Sequence, residues 1–224
     1  MSPSRAALSA VAALALAADA SLLGAADWPM RIVTVARVAE VRPRGGAEWK
    51  PASLRAEIGP GDIVRTIIPG RVTLVTPSGQ SLRLAPQTRL VLGEDSAPDG
   101  PTRARLESGW LWMAVLPGAP PRESFEVDAG PVAVTVRDGG IGVMRNPDGS
   151  VTVRAYHGAA ECVGTGVPRW ARPLTEGQEL IVSAAGPPDK VQPITRGKPE
   201  ADWVKVNADQ DLAGGYGAPA PPKK

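Results

Sequence analysis

One cysteine, one histidine and one phenylalanine occur among 224 residues, and each scarcity removes a class of chemistry. With Cys162 alone no internal disulfide can form, so stability has to come from packing. Free cysteine behaves as a small hydrophobe, and burial is its expected state here. With His157 alone, a metal site built on several imidazoles is excluded, and any Ser-His-Asp arrangement would have to use this residue. No Gly-x-Ser-x-Gly elbow occurs. His157 is expected at a strand end before Gly158, as a satisfied or solvent-facing side chain rather than a base. A dyad with Cys162 would need a feature that stabilises a thiolate, and "HGAAECVG" supplies no helix N-terminus. The acids Glu107, Glu123, Glu126, Asp128 and Asp138 read as solvated turn or edge residues rather than a glycosidase pair. The segments "GTGVP" and "RDGGIG" lack the strand-to-helix context of a phosphate cradle. The expectation is a protein that is not an enzyme, with no cofactor and no metal.

An excess of one charge is also missing. The chain has 25 basic and 23 acidic residues, and bases alternate with acids along it. A nucleic-acid-binding surface should gather unmatched lysines and arginines, so no nucleic-acid partner is expected. Long apolar runs are confined to the N-terminus. There Arg5 precedes an alanine-rich run from Ala6 to Ala18, and Ala18-Asp19-Ala20 or Gly24-Ala25-Ala26 offers the small residues of a signal-peptidase site. Residues 1–26 therefore read as a cleaved export signal, and a membrane enters only if this segment is retained as an anchor. Periplasmic or secreted is the expected location.

What the sequence has in quantity is glycine (25) and proline (24), together with 43% hydrophobic residues. That balance suits many short strands separated by turns. Alternation of apolar and polar residues runs from Ile32 to Val41, through "GRVTLVTPSGQSLRLAP" and "TRLVLGE", along "RLESGWLWMAVL", and again in "PVAVTVRDGGIGVMRNPDGSVTVRAYHG" and "GQELIVSAAG". Gly139-Gly140 predicts a bulge or a close backbone approach. Asn146-Pro147-Asp148-Gly149 predicts a turn. The polar loop from Glu94 to Thr102 and the break at "PGAPPRES" divide the strands into an N-terminal and a C-terminal group. The predicted fold is all-β, a single domain of about 12 short strands as a roll, sandwich or short solenoid. Its bounds are 27–186. Residues 187–212 form a C-terminal docking segment or short helix carrying Trp203, Val204 and Leu212, and 213–224 form a disordered tail.

Several phrases in order resemble the FecR-type periplasmic domain, named after the ferric-citrate regulator: "IGPGDIVRT", "GRVTLVTPSGQSLRLAPQTRLVL", "LESGWLWMAV", "FEVDAGPVAVTVRDGGIGVM", "DGSVTVRAYHGAAEC" and "LTEGQELIV". The likeness covers roughly residues 32–184. Asp128-Ala129-Gly130-Pro131 stands where the family usually has a Thr-Pro pair, and Asp138-Gly139-Gly140 where it usually has Gly-Thr. Family regulators place a cytoplasmic sigma-factor-binding domain and a membrane helix ahead of the β domain. Only about five residues precede the apolar run here, too few to fold. The resemblance therefore implies the β domain without the anti-sigma region.

Two sets of side chains stand out as candidate binding residues. Trp110 and Trp112, at i and i+2, share one strand face, with Leu111 and Met113 on the other. They either pack under a loop or against the C-terminal group of strands, or form an exposed platform for a sugar ring or partner. Arg65, Arg71, Arg83 and Arg89 lie in successive strands, either as a column or as a solvated face that blunts the sheet. Two functions follow. The leading one is a non-enzymatic interaction or signalling-scaffold module docking an envelope protein by its exposed edge strands. The other is a glycan-binding module that uses Trp110 and Trp112.

Overall fold

A computed structural model describes residues 29–93, 100–120, 123–185, 187–188, 190–195 and 198–216. The expected export signal falls outside these residues, as do the polar loop at 94–99 and the last eight positions.

The N-terminal strands are short: β1 (Met30–Ala36), β2 (Ala39–Arg42), β3 (Lys50–Pro51), β4 (Glu57–Ile58), β5 (Ile63–Thr66), β6 (Arg71–Val75), β7 (Ser81–Leu84) and β8 (Arg89–Leu92). Then come β9 (Thr102–Val115), β10 (Phe125–Asp128), β11 (Val132–Arg145), β12 (Val151–Gly164), β13 (Ala171–Thr175), β14 (Gln178–Val182) and β15 (Gln192–Pro193), followed by the helix α1 (Lys198–Gly214). All the strands belong to one hydrogen-bonded sheet, and the fold is all-β with a short C-terminal helix.

Three strands, β9, β11 and β12, run for 14 residues each. Their alternation continues past the points where turn residues suggest a stop. Each changes partner midway. The first part of β9 pairs with β8 and, in parallel, with β10; its second part pairs with β7 and β11. β12 holds β14 along its first part and β13 along its last. The change of partner coincides with glycines in the left-handed region: Gly139 at φ 87° and Gly158 at φ 75°, which face each other across β11 and β12. A Cβ on Gly139 would lie 2.3 Å from the His157 carbonyl oxygen, and one on Gly158 would lie 2.7 Å from that of Asp138. Only glycine fits either position, and the ladder shifts register beside them. The bulge expected at Gly139-Gly140 is present.

The inward faces close on one core running from Met30 and Ile32 in β1 to Leu180 and Val182 in β14. The break at "PGAPPRES" thus divides the strands in sequence but not in packing, because β9 reaches both groups. Cys162 is buried in this core, as expected. The sheet's free edges are short: β3, β4 and β15 have two residues each, and β13 carries Pro173, which cannot donate to an added strand.

Candidate functional site

On the outer face of β9 strand alternation places Trp110 and Trp112 together, while Leu111 and Met113 enter the main core. Around the indoles stand Arg83 from β7, opposite Trp112 in the ladder, and Tyr156 and His157 from β12. This face would be an open aromatic platform if nothing covered it. α1 does.

The helix meets the sheet along a ridge of three residues spaced by four, Trp203, Asn207 and Asp211, which therefore share one helix face. All three are buried, with Asp211 at 0% exposure. The Trp203 ring lies 4.2 Å from that of Trp110 and meets Trp112 edge-on at 6.0 Å. Trp112 stacks on Tyr156 at 4.7 Å with 14° between the planes. Such ring pairs add about 0.5–1.5 kcal/mol each beyond the area they bury.

Asp211 is the polar centre. Its Oδ1 accepts from Arg83 Nη1 at 2.6 Å. Its Oδ2 accepts from Trp112 Nε1 at 2.9 Å and lies 2.8 Å from His157 Nε2. Arg83 Nη1 also donates to the Asn207 backbone carbonyl at 3.1 Å, and Asn207 Nδ2 donates to the Trp203 carbonyl at 2.7 Å. Gly140 makes room for the cluster: a Cβ there would fall 2.3 Å from His157 Nε2 and 2.5 Å from Asp211 Oδ2. The Asp138-Gly139-Gly140 departure from the usual Gly-Thr thus has a local cause.

The helix ends in a Schellman closure. Gly215 sits at φ 81°, Tyr216 N–H donates to the Asp211 carbonyl at 2.9 Å, and Gly215 N–H donates to that of Leu212 at 3.3 Å. The Tyr216 hydroxyl then donates to the Gly79 carbonyl in the β6–β7 hairpin. Ahead of the helix, Arg154 and Glu179 form a buried pair at 2.8 Å, and Glu179 also accepts from Gln192. Ile194 N–H donates to the Gly177 carbonyl at 2.9 Å, so the chain is pinned to the sheet just before α1 starts.

These contacts settle where the candidate residues lie. Trp112 is fully buried and Trp110 half-buried, both against Trp203. The exposed platform is therefore absent in this arrangement, and the glycan reading loses its residue-level support. The four arginines do not form a column, because β5 pairs with β8 while β6 pairs with β7. Arg65 and Arg89 are ladder partners that flank Trp49 at 3.9 and 5.6 Å from its ring, paired with Glu40 and Glu107. Arg71 is exposed at the start of β6. Arg83 alone joins the indoles.

His157 lies inside β12 rather than at a strand end, because the alternation continues through "HGAAECVG" to Gly164. Its ring points to α1, whereas Cys162 points into the core. At about 3.3 Å per residue the two sit some 16 Å apart along the strand, so no dyad forms. Burial pushes the Cys162 thiol up to about 12, the opposite of an activated thiolate. Among the described residues no group of three or more His, Cys, Asp and Glu side chains could hold a metal ion. Sequence reasoning placed Trp203 in a docking segment with Val204 and Leu212 beside it. Val204 is half-buried against the cluster, but Leu212 is 64% exposed, and Asn207 and Asp211 complete the ridge instead. Tyr216, assigned to the tail, closes the helix instead.

Residues 62–161 match the model of the family described as FecR protein. Two crystal structures of a candidate anti-sigma factor from Parabacteroides distasonis are similar to this chain at 16% and 15% identity. Each has a TM-score of 0.49 and covers 69% of this chain and 74% of its own. No curated protein matches the sequence.

Proposed function

From the premise that residues 62–161 form a FecR-type domain, we propose that this chain is a non-enzymatic protein-recognition module of the cell envelope, acting as a signalling scaffold. The observation that carries the reading is the face around Trp112. An indole, a guanidinium and an imidazole from three strands converge on one carboxylate presented by a helix. Such a face reads a polypeptide segment by shape and charge together. Both Asp211 oxygens face these groups, and the His157–Asp211 contact belongs to the same docking set.

The envelope assignment rests on residues 1–26, whose basic start, apolar run and small-residue cleavage site have the makings of an export signal. Fusing residues 1–40 to alkaline phosphatase, which is active only after export, tests it. Phosphatase activity is expected, and an inactive cytoplasmic fusion would contradict it. Partner recognition is tested by cross-linking the tagged full chain in its native cells and measuring stoichiometry. One protein recovered near one to one supports the module, and none above a tagged control counts against it.

A further inference from the structure

We propose that the sheet face beneath α1 is a helix-binding groove that α1 occupies in the manner of a partner. The external partner it fits is an amphipathic helix presenting an aromatic residue and, eight positions later, a carboxylate. This rests on the protein-recognition reading above and names the partner class of that site.

The helix is held by one aromatic anchor and a buried polar set rather than by a continuous apolar stripe. Trp203 is its one fully buried large apolar side chain among the described residues and Val204 is half-buried against the same cluster, whereas Val206 and Leu212 remain exposed. Around the aromatic contact the seat carries a polar set: Arg83 and His157 on the sheet, Asp211 and Asn207 on the helix. A helix integral to a core buries an apolar stripe. α1 instead presents Trp-x3-Asn-x3-Asp, a ridge that reads as a recognition sequence.

Two further features make the seat one that can be vacated. Chain upstream of α1 is fastened independently, through Ile194 to Gly177 and through Gln192 and Arg154 to Glu179. The main core is also complete without the helix, since none of its members comes from α1. On leaving, α1 would stay tethered and would uncover Trp110, Trp112 and Tyr156 beside the Arg83 guanidinium and the His157 imidazole. A carboxylate-bearing helix satisfies that surface, and a neutral or basic one would leave the Arg83 guanidinium without its counter-ion.

The probe is a fluorescein-labelled peptide of residues 198–216, added to full-length protein and followed by anisotropy. In the wild type the tethered helix competes at an effective concentration of order millimolar, so the peptide should bind weakly. In a full-length Trp203→Ala/Asp211→Ala variant, whose own helix can no longer fill the groove, it should bind at least about tenfold more tightly. Adding Arg83→Ala to that variant, or using a peptide with Asp211→Asn, should remove most of the gain. Asp211→Asn in the full chain serves as the second variant should the double one not fold.

Peptide binding by neither variant while both keep the wild-type sheet signature in circular dichroism would overturn the proposal. So would binding that ignores Arg83, or failure of both variants to fold, which would make α1 a part of the sheet's fold rather than an occupant of its face. Peptide-driven dimers of the wild type would assign the groove to a second copy and reject an external helix. The peptide measurement stands apart from the cellular one. A groove that binds the peptide with no cellular partner recovered refutes the scaffold reading alone, and a partner recovered with no peptide binding refutes the groove alone.

Discussion

At Asp211 one carboxylate receives a guanidinium and an indole and meets an imidazole, all on a helix 54 to 128 residues away in sequence from its partners. Removing one member of such a buried pair leaves the other charge uncompensated, which typically costs about 3–5 kcal/mol. Arg83 and Asp211 therefore belong together energetically. Cys162 makes the opposite case, a titratable group kept neutral by apolar surroundings. Its thiol is pushed from an ordinary 9.0 up to about 12, first by burial and then by the Glu161 charge. Above pH 9 the unfolded chain gives up this proton while the folded chain keeps it, so the unfolded state binds fewer protons and stability falls as pH rises from 9 toward 12. Chemical denaturation at pH 8 and pH 10.5 should show this loss, and Cys162→Ala should reduce the pH dependence. Native Cys162 should also resist a thiol reagent at pH 8 and react once the chain unfolds. Rapid native labelling would show that the thiol is not buried.

Among the elements, β9, β11 and β12 give the fold its form, because each is long enough to serve two sets of partners. Gly139 and Gly158 allow the change, and the backbone leaves no room for a Cβ at either. Gly158→Ala should destabilise the whole domain by at least about 2 kcal/mol, from left-handed strain together with overpacking. Gly140→Ala should act differently. Its Cβ would meet the ends of His157 and Asp211, so it should loosen α1 while the sheet keeps most of its stability. Denaturation followed by circular dichroism, alongside tryptophan emission from the aromatic face, separates the two effects. Equal global losses for both variants would contradict this division. Alternation made the short strands legible in the sequence. The 14-residue strands were legible in part: "RLESGWLWMAVL" reads as one strand and Gly139-Gly140 as a bulge, but "HGA" reads as a strand end, although Gly158 serves a bend in a continuous strand. α1 carried only a weak sequence signal, because its buried ridge is Trp-Asn-Asp rather than an apolar stripe.

Across the whole molecule, one core gathers residues from β1 to β14 while a smaller aromatic cluster sits outside it under α1. The shared face of Trp110 and Trp112 could be read from strand parity, and burial was one of its two readings, but under a loop or the second group of strands rather than under the helix that covers it. What covers that face could not be read, because the partner lies about 100 residues away and periodicity carries no tertiary information over that distance. The arginines failed as a column for the same reason: successive strands in sequence are not successive strands in the sheet. The structure divides into a self-sufficient sheet and a helix docked on its face, and this division underlies the account of function. Native-state hydrogen exchange of the full chain tests it most directly. The amides of residues 202–212 should exchange through a local opening while those of β11 and β12 stay protected, and Asp211→Asn should accelerate the helix alone by about tenfold or more, corresponding to about 1.4 kcal/mol or more. Exchange of helix and sheet in a single global event, with the variant accelerating both equally, would contradict the account.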